Sequence, residues 1–248
     1  MASLATRKGE YGFDAPYVAV MLAGFGLAWL AVAAVLTFGF RLPQWGVWPA
    51  AVAAFQLLSL GSFVYTTRRG KFEVWARILE GLRHKGDETV LDMGSGRGAV
   101  LLMAAELVAN GQAVGLDLWR SGDQSGNTQQ AARRNADRES VGSRVRFESG
   151  DMSAMPFPDA SFDLVLSSLA IHNIEDAAAR QKAIDEAVRV LKPGGRLAIA
   201  DFRATAGYAS RLRELGIKDV ERRGLGWRMW YGGPWAATTL VTATKAKG

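Results

Sequence analysis

The chain of 248 residues contains no cysteine and only two histidines, His84 and His172. The first absence excludes a disulfide framework and any thiolate-ligated zinc site, and it suits a reducing compartment. The second leaves too few imidazoles for a histidine-rich metal centre, so no metal is expected. Charge is missing from two long stretches. Residues 17–40 carry none and residues 45–67 carry none, with Arg41-Leu42-Pro43-Gln44 between them.

At 1.5 Å per residue, a helix over residues 17–40 reaches about 36 Å, beyond the roughly 30 Å hydrocarbon core of a bilayer. A secretory signal has a shorter apolar region that ends in a small-residue cleavage site, so that reading is set aside. Two spans with so short a link predict an antiparallel transmembrane hairpin. Gly24, Gly26 and Ala28, with Ala50, Ala51, Ala53 and Ala54, are expected to let the two backbones approach, and Gln56, Ser59 and Ser62 to lie toward the partner helix. No acid or base occurs inside either span to carry transport or catalysis. Arg7 and Lys8 precede the hairpin and Arg68, Arg69 and Lys71 follow it, while the link has Arg41 alone. Both termini are therefore expected on the cytoplasmic side, with Trp45 and Trp48 at the far interface and Tyr17 and Tyr65 at the near one. Residues 1–16 receive no assigned structure.

The formal charge of +6 is split evenly. From Gly70 onward 25 basic residues stand against 22 acidic ones, a net of +3, and the remainder flanks the apolar stretches. That distribution fits an anionic membrane surface better than a nucleic-acid groove. Arg222, Arg223, Trp227, Arg228 and Trp230 mix base and aromatic as an RNA-binding strand does. Strand alternation beside a membrane accounts for the same residues, and nucleic acid is not an expected partner.

The rest of the chain is organised around Thr89-Val90-Leu91-Asp92-Met93-Gly94-Ser95-Gly96-Arg97-Gly98. Val90 and Leu91 close a short apolar run that suits a buried parallel strand, three glycines follow, and Ala99 to Leu107 has helical spacing. Glycines at a strand-to-helix turn let a ligand approach the backbone, and the free amides of the helix favour an anion. Gly94, Gly96 and Ala99 also satisfy the dinucleotide fingerprint. Asp92 argues against a pyrophosphate, which its carboxylate would repel. A ligand with an ammonium beside a carboxylate finds a partner for each, and S-adenosylmethionine has both. Asp117 ends the next strand unit, placed to take a ribose hydroxyl pair in either cofactor.

These pieces, with Gly115-Leu116-Asp117-Leu118-Trp119, Gly150-Asp151-Met152, Phe162-Asp163-Leu164-Val165-Leu166-Ser167-Ser168 and Leu191-Lys192-Pro193-Gly194-Gly195-Arg196-Leu197, resemble a class I S-adenosylmethionine-dependent methyltransferase, in the family's order from about Phe72 to Lys245. The resemblance implies an α/β fold, a doubly wound Rossmann-like seven-stranded sheet, mostly parallel with its last strand antiparallel. Two units are expected: residues 1–69, an arm plus hairpin (about 17–40 and 45–67), and residues 70–248, the methyltransferase domain. It implies S-adenosyl-L-methionine as cofactor, bound by Asp92, Gly94, Ser95, Gly96, Gly98, Asp117, Leu118, Trp119, Asp151, Met152 and Ser168, with Asp151 near the adenine amino group.

Around that core, residues 71–85 read as a helix with Phe72, Trp75, Leu79 and Leu82 on one side, Trp75 either packing on the sheet or standing in the headgroup layer. His84 is placed at a solvated helix end. Residues 128–138 and 175–190 read as helices, 145–148, 162–168 and 196–200 as strands, 208–215 as a basic helix, and 220–231 with 237–244 as a closing antiparallel pair. Ser168 to Asn173 are expected to border the transferred methyl. His172 is the candidate base, an imidazole suited to moving a proton near neutrality, with a loop-orienting role as the alternative. The expected activity is methyl transfer to a lipophilic or amphipathic acceptor, such as a quinone-type ring, an isoprenoid or a lipid headgroup. Two alternatives stay open: an NAD(P)-dependent reductase on the same glycines, and a non-catalytic membrane-tethered interaction module.

Overall fold

The computed structural model describes residues 4–82, 84–120, 122 and 124–247. Helix α1 (Pro16–Ala34) starts with a proline in its first turn, where the missing N–H costs nothing, and runs into a π-helical turn, Val35–Gly39. Helix α2 (Pro43–Tyr65) returns alongside it. A second π-helical turn, Thr66–Gly70, leads without a break into α3 (Lys71–Gly81). At Gly70 a side chain would run into the carbonyl of Arg228, so the long helix passes the rest of the protein at backbone contact there.

The seam between α1 and α2 is narrower than the sequence predicts. Gly26 and Ala33 are the buried residues of α1, and Gly26 packs against Leu57. Gly24 and Ala28 are exposed, as are Ala50, Ala51 and Ala54. The reason is angular: positions 24 and 28 share a face, and position 26 lies about 200° from both. Ser62 also departs from expectation. Its hydroxyl, like that of Thr66, donates to the Trp230 carbonyl, at 3.0 and 2.8 Å, so this end of the polar stripe meets the C-terminal loop, while Gln56 lies against Gly26 of α1 as expected.

The sheet has seven strands in the order β3-β2-β1-β4-β5-β7-β6. Strands β1 (Thr89–Met93), β2 (Gln112–Asp117), β3 (Val145–Ser149), β4 (Phe162–Ser168) and β5 (Leu191–Asp201) are parallel, and β7 (Thr239–Thr244) runs antiparallel between β5 and β6 (Glu221–Gly224). Helices α4 (Ala99–Leu107), α5 (Gln129–Arg138), α6 (Ala177–Val190) and α7 (Thr205–Glu214) cover the faces, each of which carries its own apolar core. Two caps match their sequence signals: Thr128 accepts the Ala131 N–H and Asp176 that of Ala179.

Several expectations shift. Lys192-Pro193-Gly194-Gly195 lies inside β5 at a register break against β4, so the strand begins at Leu191. The closing pair is shorter on one side: β6 stops at Gly224, and residues 225–238 form a loop with two short 3-10 turns. That loop stacks on the hairpin, with Trp227 on Tyr65, Tyr231 on Phe63 and Trp235 on Phe55, all with ring centroids under 6 Å apart. Trp227, one of the two aromatics weighed for RNA stacking, is thus engaged within the chain. Trp75 is fully buried against the sheet, which excludes the headgroup-layer reading. The His84 side chain is buried too, its Nε2 2.9 Å from the Leu79 carbonyl, and burial holds its pKa below the ordinary value.

The arm departs furthest from the sequence reading. Residues 4–15 lie across the sheet domain, held by a series of hydrogen bonds to its side chains. Glu139 accepts from the Lys8 and Gly9 amides and the Tyr11 hydroxyl, Asn135 accepts from the Glu10 amide, and Ser125 from Phe13. Arg7 pairs with Glu106 and Glu139, so it is spent inside the protein and not at a lipid surface.

Candidate active site

The carboxyl ends of β1, β2 and β4 open into a cavity of about 380 Å³. Gly94, Ser95 and Gly96 form one side of it. Gly94 and Gly96 have φ of +73° and +51°, and a Cβ on Gly94 would collide with Ala170. The turn is therefore restricted to glycine by backbone and by space.

Asp92, at the end of β1, is 2% exposed. One carboxylate oxygen accepts the Leu101 N–H at 3.1 Å, and the other has no protein partner. Burial pushes this carboxyl up to about 7, the nearby charge of Asp117 acting in the same direction against the Leu101 hydrogen bond. Asp117, at the end of β2, clamps the glycine turn: Oδ2 accepts the Gly96 amide at 2.8 Å, and Oδ1 accepts from the Trp119 amide and Asn127 Nδ2. Ser168 ends β4 and takes a hydrogen bond from the indole of Trp75 at 2.9 Å, which ties α3 to the cavity wall.

Of the residues nominated from sequence, Asp92, Gly94, Ser95, Gly96, Asp117, Leu118, Asp151, Met152 and Ser168 line this cavity. Three lie off it. Gly98 caps α4 against Leu102, and Trp119 turns outward, its indole donating to Ser149 and its ring edge-on to Phe147. His172 sits behind the wall, its neighbour Asn173 being on it. His172 Nδ1 is 2.7 Å from Oδ1 of Asp201, a fully buried carboxylate that also accepts from the His172 and Phe202 amides and the Tyr208 hydroxyl.

The sequence reading missed Asp14, Lys71, Gln124 and Asn127, all on the wall. Gln124 Oε1 accepts the Arg97 amide, while its Nε2 donates to the Tyr11 carbonyl and to Asp14. Asp14 in turn pairs with Lys71. No local pattern announces Asp14, Lys71 and Gln124, because the arm and the helix bring them together across more than 50 positions, whereas Asn127 lies in the loop only ten residues beyond its partner Asp117.

Known proteins point the same way as this geometry. A family described as a methyltransferase domain matches residues 91–199. Demethylmenaquinone methyltransferase of Thermus thermophilus is 36% identical over 118 residues, 48% of this chain and 49% of that protein. The ubiquinone/menaquinone biosynthesis C-methyltransferase UbiE of Dinoroseobacter shibae is 32% identical over 134 residues, 54% of this chain and 50% of the relative. Residues 91–199 belong to the class I S-adenosylmethionine-dependent methyltransferases. The methyltransferase fold reaches further than that match. A SAM-dependent methyltransferase from Aquifex aeolicus superposes with TM-score 0.53 at 20% identity, covering 68% of this chain and 88% of its own. A putative one from Methanococcus maripaludis does so with TM-score 0.56 at 18% identity, covering 78% and 94%. The chain spans about half the length of the curated relatives it matches.

The cofactor of this methyltransferase family is S-adenosylmethionine, and the residues present suit it. Asp92 Oδ1, Ser95 Oγ and Asn127 Oδ1 are buried polar atoms without a protein partner, and all three residues line the one cavity. Their unmet hydrogen bonds call for a polar ligand.

Proposed function

We propose that this protein is a membrane-anchored methyltransferase acting on a lipophilic small-molecule acceptor, most simply a quinone-type ring. When bound, S-adenosylmethionine supplies a methyl group already activated on a sulfonium, so the protein's part is alignment, shielding and removal of a proton. The amides of the glycine turn, expected free for an anion, all donate within the protein, so Asp92 and the Ser95 hydroxyl hold the amino-acid end, Asp117 the ribose, and Asp151 with Met152 the adenine. Leu169, Ala170 and Ile174 give the acceptor side an apolar lining. His172, its Nδ1 beside Asp201, takes the proton that the acceptor sheds on methylation.

The observation that carries the membrane part is the distribution of exposed apolar side chains. Among the described residues, 17 of the 22 exposed large hydrophobics lie between Tyr17 and Leu58. An apolar surface of that extent is rare on soluble monomers and suits lipid. In this reading the hairpin crosses the bilayer twice, the termini and the catalytic domain are cytoplasmic, and Trp227 and Trp235 dip toward the headgroups. The units are then the hairpin and the sheet domain, divided near residue 69, with the arm strapped across the latter. The two quinone-methylating relatives support the acceptor class. The test is incubation of the full chain with isotope-labelled S-adenosylmethionine and source-cell membranes, followed by an untargeted search of the lipid extract. Label in a prenylated quinone supports the proposal, and label only in soluble products overturns it.

A further inference from the structure

The hairpin leaves the apolar layer beside a second cavity, separate from the cofactor site. It measures about 470 Å³ and lies between the arm, the π-helical turn after α2 and the glycine turn. Three arginines border it, Arg7, Arg68 and Arg97, with Glu10 as the one carboxylate. Arg7 is neutralised by Glu106 and Glu139, and Glu10 is engaged by Arg138 at 2.9 Å. Among the described residues, Arg68 and Arg97 have no carboxylate within ion-pair distance. Arg68 lies over the ring of Phe13, and Arg97 makes a single side-chain hydrogen bond, to the Ser125 carbonyl.

Two further atoms show that something polar is missing. Thr67, on the same wall, is 1% exposed and its hydroxyl has no partner, and the buried Nε of Arg97 has none either. Two unpaired guanidinium groups, a free hydroxyl and an apolar floor from Phe13 and Phe72 make a receptor for a phosphate oxyanion. We propose that this cavity binds a phosphate group, and that its ligand is the headgroup of an anionic phospholipid. The choice of lipid rests on the membrane reading above: Arg68 stands three residues beyond Tyr65, the end of α2, where a spanning helix meets the headgroups.

The site has a route to the cofactor. Arg97 belongs to the glycine turn, and its amide is held by Gln124, which also holds Tyr11 and Asp14. A phosphate that fixes the Arg97 side chain also fixes the turn on which the cofactor rests, and linkage makes the effect mutual.

The test uses the full chain in nanodiscs of phosphatidylcholine containing a minor fraction of phosphatidylglycerol. Native mass spectrometry counts the lipids retained on ejection, and phosphorus-31 line broadening of inorganic phosphate in detergent forms a second arm. The wild type retains one phosphatidylglycerol in preference to phosphatidylcholine. The Arg68→Gln, Arg97→Gln double variant loses that preference about tenfold or more, from two basic contacts near a membrane surface. Arg69→Gln, which removes a neighbouring exposed charge outside the cavity, keeps it. Equal loss in Arg69→Gln, or no preference in the wild type, overturns the site. Broadening of inorganic phosphate that depends on Arg68 and Arg97, without lipid retention, overturns the lipid as its source. Flotation with pure phosphatidylcholine vesicles checks the hairpin's insertion independently, so failure of the anchor and failure of this site are read apart.

Discussion

Lys71 Nζ lies 2.8 Å from Asp14 Oδ2, and the pair joins the residues just outside the two ends of the hairpin at the wall of the cofactor cavity. Asp14 stands two residues before α1, and Lys71 opens α3. The same carboxylate accepts from Gln124 and from the Tyr231 hydroxyl, so hairpin, arm, glycine turn and C-terminal loop meet on one side chain.

Asp14→Asn and Lys71→Met should each therefore cost more than the pair is worth. Both side chains are under one-fifth exposed, and removing one partner leaves the other charge poorly solvated, at about 3 kcal/mol. The double variant should lose less than the two single losses added together. A double-mutant cycle by chemical denaturation reads this directly, and additive losses would show the two charges to be independent. Cofactor affinity is expected to fall in both single variants, because Asp14 holds Gln124 against the glycine turn.

Gly94→Ala should abolish cofactor binding while the sheet still forms. The residue sits at φ +73°, where an L side chain costs about 1–2 kcal/mol, and the new methyl would overlap that of Ala170, which packs directly against the turn. Calorimetry with S-adenosylhomocysteine should show at least a tenfold loss. Gly61→Ala, on an open face of α2 with no atom near the added methyl, serves as the neutral comparison.

The cofactor half of this site is legible in the sequence because it is local. Strand, glycine turn and helix follow one another from Thr89 to Leu107, and the acids that end β1 and β2 fall at fixed spacing from them. Two long runs without charge likewise reveal both long helices. What sequence hides is the far side of the cavity. Asp14, Lys71 and Gln124 meet only through tertiary packing, and Trp75 reads first as a core residue, with the interfacial reading open until its indole is seen on Ser168. The arm is hidden for a different reason: it has no regular periodicity, and its order comes from Glu139, Asn135 and Ser125, which accept its amides one by one.

Asp92 makes the site sensitive to pH in two opposing ways. Its carboxyl is raised from 3.8 to about 7 by burial. The ligand-free fold thus binds a proton that the unfolded chain has released, and this contribution to stability is full below the unfolded value and lost as pH rises through about 7. Ligand-free melting temperature should fall between pH 6 and 8, and fall less in Asp92→Asn. In the proposed reading the ionised carboxylate meets the ligand's ammonium, so cofactor affinity should rise over the same interval in the wild type and stay flat in Asp92→Asn. Titration calorimetry at several pH values checks the second slope, and parallel slopes in the two proteins would remove Asp92 from the ammonium's contacts.

His172 is where geometry and chemistry pull hardest against each other. Asp201 is fully buried and fixed by the amides of His172 and Phe202, at 3.1 and 2.8 Å, and by Tyr208. Nδ1 lies 2.7 Å from that carboxylate without the alignment of a hydrogen bond, which keeps an acidic group beside the ring as a base would need. Yet the ring packs edge-on to Phe202 and only its neighbour Asn173 reaches the cavity, an arrangement that also serves to hold the Ile171–Asn173 turn. The two roles separate in kinetics. As a base, His172→Ala should lower turnover by roughly 10²- to 10⁴-fold with cofactor affinity kept. Asp201→Asn should give a smaller loss. If the ring only orients the turn, His172→Asn should retain turnover, and the base must then be sought on the acceptor itself or in water.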